Sequence, residues 1–166
     1  MRRCLSSCIL VLVCLVVAGL GYGDDIKKHA SCKYCGMDRK EFGHARILIE
    51  YDDGTTEGTC SLHCAAIDLA LNIDKTPKAI LVGDFKTKEL IDAEGASWVI
   101  VEGKPGVMTQ RAKWAFASKA EAEAYMKENG GKLASFDEAM KAAYEDMYKD
   151  TKMIREKRKM KRMKQN

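Results

Sequence analysis

Arg46-Ile47-Leu48-Ile49-Glu50-Tyr51-Asp52-Asp53-Gly54-Thr55-Thr56-Glu57-Gly58-Thr59-Cys60-Ser61 is the stretch that decides the fold. Arg46 to Tyr51 reads as a short strand with Ile47 and Ile49 on one face. Asp52-Asp53-Gly54 is a hairpin signal, because glycine accepts the positive φ that a tight turn between strands needs. Thr55 to Cys60 then returns as a second strand. Ser61 stands as the N-cap of a helix over Cys64 to Leu71, with Ala65, Leu69 and Ala70 facing inward. Lys75-Thr76-Pro77 stops that helix.

The same order recurs further along. Ala79 to Phe85 is a strand, and Lys86-Thr87-Lys88 turns it into Glu89 to Asp92. Ser97 to Glu102 is rich in β-branched and aromatic residues and forms a strand. A Gly103-Lys104-Pro105-Gly106 turn leads through Val107 and Met108 to a strand over Lys113 to Ala117. Ser118 caps a helix to about Asn129, Gly130-Gly131 ends it, and Lys132 to Ser135 is a short strand. Asp137 is expected to cap a final helix, where Met140, Ala143, Tyr144, Met147 and Tyr148 share one apolar face. Those methionines read as core. The pattern predicts an α+β fold: two similar strand–strand–helix–strand halves forming a largely antiparallel sheet with helices on one side.

Upstream, Arg2 and Arg3 precede an apolar run from Ile9 to Leu20, and Gly21-Tyr22-Gly23 offers small residues to a signal peptidase. Residues 1–23 therefore read as a secretory leader cleaved before Asp24. Leu5-Ser6-Ser7-Cys8 imitates a lipoprotein box but comes before the apolar run, so Cys8 is not expected to carry lipid. The body, residues 24–148, has a net charge of −5, against +7 for a basic tail over residues 149–166 and +2 for the leader. An acidic body excludes nucleic acid as its partner. The tail reads as a solvated helix end or disordered segment. If it extends the last helix, anionic lipid is the partner it would meet, giving a peripheral membrane contact.

Seven cysteines occur, of which Cys4, Cys8 and Cys14 leave with the leader. The other four form two tight pairs: Cys32-Lys33-Tyr34-Cys35-Gly36-Met37 and Cys60-Ser61-Leu62-His63-Cys64. A C-x-x-C knuckle turns two thiolates toward one ion, and a strand end followed by a helix start supplies the second pair. Gly36 gives the backbone room to wrap the knuckle. Four thiolates suit zinc. Met37 shifts the balance, since a thioether is a good ligand for copper(I), and His63 can add an imidazole. Two disulfides are the structural alternative, although cysteines so close in sequence close loops that gain little entropy. A thiol–disulfide oxidoreductase is the enzymatic alternative, but the first pair lacks the strand-then-helix setting of that chemistry. His44 reads as a packing residue. No Ser-His-Asp order, phosphate-binding glycine loop or carboxylate pair is evident.

On these residues the sequence resembles the NosL-like family, accessory copper chaperones of nitrous-oxide reductase. The likeness lies in C-x-x-C-G-M at Cys32–Met37, Tyr51-Asp52-Asp53-Gly54, the strand pair through Lys78–Asp92, Trp98–Val101, Pro105-Gly106-Val107-Met108 and Gly130-Gly131. It covers most of residues 30–140. The resemblance implies an α+β domain of two similar halves, shared with organomercurial lyases, that binds one copper(I) ion outside the cytoplasmic membrane. It also implies Cys35, Met37 and Met108 as ligands, with Cys32 adjacent. The sequence departs from the family in two ways. The leader places no lipobox cysteine, and the second pair, Cys60 and Cys64, resembles the clusters of TRASH-like metal-trafficking domains.

The expectation is an exported metal-binding protein, periplasmic or on the outer face of the cytoplasmic membrane, and not an enzyme. Its metal site is Cys32, Cys35, Met37, Cys60, Cys64 and Met108, with copper(I) as cargo and zinc as the alternative. Its partner is a recipient metalloprotein or membrane maturation complex. The competing readings are the oxidoreductase and a structural zinc domain that mediates interactions.

Overall fold

A computed structural model describes residues 24–165; the expected leader, with Cys4, Cys8 and Cys14, lies outside the described residues. The elements follow as α1 (Asp24–Lys28), β1 (Ile47–Tyr51), β2 (Thr56–Thr59), α2 (Leu62–Leu71), β3 (Pro77–Gly83) and β4 (Leu90–Asp92). Then come β5 (Ser97–Val101), β6 (Ala112–Phe116), α3 (Lys119–Asn129), β7 (Lys132–Ala134) and α4 (Phe136–Met163).

The repeat is present: β1-β2-α2-β3 and β5-β6-α3-β7 have the same order, and in each the first strand lies between the other two. The α+β class holds. The strands form two antiparallel sheets where one was expected, β2-β1-β3-β4 and β6-β5-β7. Each hairpin recruits the third strand of its own half. The halves join where Phe85 N donates to Ala115 O (2.8 Å) and Ala117 N donates to the buried carboxylate of Asp84 (2.8 Å).

Helices on one side of the sheet does not describe the three-stranded sheet. Trp98 of β5 and Ala115 of β6 point into a core with Ile47, Ile49 and Ala65, into which α4 packs Phe136, Ala139 and Met140. Val99, Val101, Trp114 and Phe116 point the opposite way, to a core that holds the cysteines and Ala122 of α3. Period-2 alternation thus makes the three-stranded sheet a partition between two cores, with α4 over one face and α3 over the other.

Two helix starts differ from expectation. Ser61 occupies the N-cap of α2 but makes no capping hydrogen bond with its side chain. For α4 the cap is Ser135, not Asp137: Ser135 accepts from Glu138 N while the Glu138 side chain accepts from Ser135 N. This reciprocal box satisfies two backbone donors that would otherwise lack partners. Ser135→Ala is expected to lower unfolding free energy by about 1 kcal/mol in a denaturant titration. The segment 149–163, expected as a tail, continues α4 without interruption.

Candidate metal centre

Residues 24–43 contain α1 and a tightly tied knuckle. Cys32 N donates to Met37 O and Gly36 N to Cys32 O, both at 2.9 Å, with Gly36 at φ +73°. The knuckle lies against β2 so closely that a Cβ on Gly58 would meet the side chains of His29 and Arg39. Tyr34 and Tyr51 both donate to the fully buried carboxylate of Asp68, which ties knuckle, α2 and β1 together. Deeper still, Asp25 of α1 pairs with two fully buried guanidiniums, Arg39 Nη2 and Arg46 Nε, at 2.9 Å each. Arg39 also donates to Thr59 O, His29 O and Ile47 O, so one side chain links the knuckle to the β1–β2 hairpin.

This scaffold brings together four thiols that are local only in pairs. The sulfurs of Cys32, Cys35, Cys60 and Cys64 all lie within 4.8 Å of one another. Cys35 Sγ is 3.4 Å from Cys60 Sγ, and Cys60 Sγ is 3.9 Å from Cys64 Sγ. A tetrahedron with metal–sulfur bonds of 2.3 Å has edges of about 3.8 Å. The donor set therefore fits one thiophilic ion. None of the four forms a disulfide, so the disulfide alternative does not describe this state. Cys32, Cys60 and Cys64 are buried, while Cys35 is partly open to solvent.

Crowding separates the four acidities. Hydrogen bonds from the Cys35, Cys60 and Cys64 thiols hold Cys32 far below the usual thiol range. For Cys35 the contact with Cys32 pushes up, but those with Cys60 and Cys64 outweigh it and lower the thiol to about 7. Contacts with Cys32 and Cys35 push Cys60 up, and the same contacts, joined by that with Cys60, push Cys64 up. Near neutrality the metal-free cluster holds Cys32 as thiolate and Cys35 partly ionised, while Cys60 and Cys64 keep their protons. An ion entering it displaces the remaining protons.

Met37 and Met108 line an open cleft of about 520 Å³ at the exposed side of Cys35, with Met153, Ile154, Lys157 and Arg158 of α4 on its far wall. His63 is buried, and its Nδ1 lies 3.8 Å from Asp150 Oδ2, with neither atom hydrogen-bonded. It is not one of the clustered donors. His44 packs against Phe85 and Trp114, with ring centroids 5.9 and 5.3 Å away, and His29 pairs with Thr56 Oγ1 at 2.9 Å. Sequence reasoning placed no α4 residue at the site. The missing signal was the spacing 150, 153–154, 157–158, which continues one helix face past Tyr148.

The sequence model of the NosL family matches residues 24–144, most of the chain. The chain belongs to the NosL family. Its fold is similar to the crystal structure of the copper chaperone NosL from Shewanella denitrificans, with a TM-score of 0.54 and 26% identity. That match covers 65% of this chain and 87% of the other. No curated protein matches. The chaperone role of the solved NosL is non-enzymatic, in line with the expectation for this chain. Its catalytic alternative, the oxidoreductase, finds no support in the family. For this NosL-family chain, a cysteine cluster fit for a metal ion sits in the matched region, and α4 runs on past its end.

Proposed function

We propose that this chain is an exported copper(I) chaperone. It carries the ion on Cys32, Cys35, Cys60 and Cys64, with Met37 and Met108 beside them. It passes the ion to an extracytoplasmic recipient, nitrous-oxide reductase or the membrane complex that matures it. The observation that carries this reading is a four-sulfur cluster on a NosL fold with one edge open: three buried thiols retain the ion, and Cys35 makes it reachable. Soft sulfur donors favour copper(I) over hard cations. The leader motivates export, where thiols held by metal escape oxidation. Among the described residues no helix is long and apolar enough to cross a membrane. The basic end of α4 is the segment that would meet anionic lipid, as a peripheral contact.

Structural zinc is the second reading, favoured by the burial of three thiols and the near-tetrahedral spacing. Competition separates the two. Mature protein, purified anaerobically and reduced, is titrated with copper(I) against a copper(I) chelator in the presence of zinc. One copper(I) per chain, taken in exchange for any zinc, is the expected result. Zinc retained against copper(I), with unfolding on chelation, would replace the chaperone with a structural zinc domain.

A further inference from the structure

The family match ends at residue 144, and the basic part of α4 that follows from Lys149 lies across the mouth of the cysteine cluster. Arg111 and Lys113 pair with Asp146 just before it, and two further contacts hold it over the cleft. Asp150 Oδ1 accepts from Gln110 N at 3.1 Å, two residues beyond Met108. Arg158 Nη2 donates to Cys35 O at 2.9 Å. Between these anchors and on the same face stands Met153. Of the α4 methionines, Met140 is buried in the opposite core, Met147 packs beside it, and Met160 and Met163 are 60% and 69% exposed. Among the described residues, Met153 is the methionine of α4 that lines the cleft of Cys35, Met37 and Met108.

Met108 adds an independent observation. Its φ is +62°, in the left-handed region that a non-glycine residue adopts at a cost of about 1–2 kcal/mol. The turn that imposes this is closed by Gly106 N donating to Thr109 O (3.0 Å) and is tied to α4 through Gln110. Strain retained beside a cluster of donors points to a use for that side chain.

We propose that Met153 joins Met37 and Met108 in a thioether vestibule over Cys35, through which copper(I) enters and leaves the buried cluster. The inference rests on the copper-carrier reading above. Each step is a ligand exchange at one ion: a bond to a methionine sulfur forms as a bond to a cysteine sulfur breaks. The ion stays copper(I) throughout, and a thioether has no proton to lose. Thioethers hold the ion less tightly than thiolates, as a transit site requires. Lys157 and Arg158 on the same wall offset the negative charge of a filled thiolate cluster.

The test uses reduced mature protein labelled with ¹³C at the methionine methyls and titrated anaerobically with copper(I), and in parallel with redox-inert silver(I). The methyl signals of Met37, Met108 and Met153 are expected to shift, while those of Met140 and Met160 stay. Met153→Leu, which keeps the apolar volume, is expected to slow transfer of copper(I) to a chelator about tenfold, the low end of what loss of a supporting partner costs a metal site. Met160→Leu is the control and should leave the rate unchanged. Thiolate-to-copper absorbance that develops normally while the Met153 methyl stays put would overturn the vestibule and leave the carrier intact. An unchanged rate in Met153→Leu would do the same, reducing Met153 to packing. Absence of that absorbance would instead remove the carrier reading itself.

Discussion

Replacing Cys60 and Cys64 together by serine will abolish copper(I) retention as completely as replacing Cys32 and Cys35. The four sulfurs lie within 4.8 Å of one another, so both variants strip half the donors from one cluster. Serine is close to cysteine in volume and leaves the packing near its native state, while its hard oxygen is a poor copper(I) ligand. The affinity loss should exceed the roughly 10–100-fold that follows removal of a group that merely orients a ligand. A chelator competition titration on wild type and both variants measures it. If copper(I) is lost only with Cys32 and Cys35, the site is instead the one the family resemblance implies, Cys35, Met37 and Met108, and Cys60 and Cys64 are packing thiols.

Asp25→Ala is expected to destabilise the domain by about 3–5 kcal/mol, the cost of leaving buried charge without its partner. Its side chain is 1% exposed and faces two arginine side chains at 0%. Removing it takes away the carboxylate that lies between the like charges of Arg39 and Arg46, and Arg39 is what fastens the knuckle to the β1–β2 hairpin. Copper(I) affinity should fall as well, because the first cysteine pair loses its anchor. The pH dependence follows from the same contact. Burial pushes the Asp25 carboxyl up, but hydrogen bonds and charge from Arg46, joined by those from Arg39, outweigh it and hold the group below its ordinary value. A depressed folded pKa means that the stabilisation is complete above the unfolded value of about 3.9 and fades as pH falls through the folded value. Denaturant unfolding of wild type and Asp25→Ala between pH 7 and pH 3 checks both statements. A variant that unfolds within 1 kcal/mol of wild type at pH 7 would show that the arginines find other partners.

Much of the local structure could be read directly. The Asp52-Asp53-Gly54 turn, the alternation of Ile47 and Ile49, and the glycines closing α3 act over a few residues, and chain order carries that information. The α4 cap was also legible and was misassigned: Ser135-x-x-Glu138 is a capping box, but the flanking Lys132-Leu133-Ala134 drew Ser135 into the strand. The pairing of Cys32 with Cys35 and of Cys60 with Cys64 is likewise local, because a turn or the start of a helix converges both side chains.

Chain order alone determined the repeated strand–strand–helix–strand halves, the two cysteine pairs and the soft-donor chemistry. Periodicity and donor type are properties of neighbouring residues. Only the tertiary structure decided that the two pairs form one cluster, that the strands divide between two sheets, and that α3 and α4 cover opposite faces of the second. It alone brought Asp25 between Arg39 and Arg46, and laid Met153 across the cleft opposite Met37 and Met108. These are contacts between residues far apart in the chain. They are selected by how the cores close and how buried charges find partners, which no local pattern records.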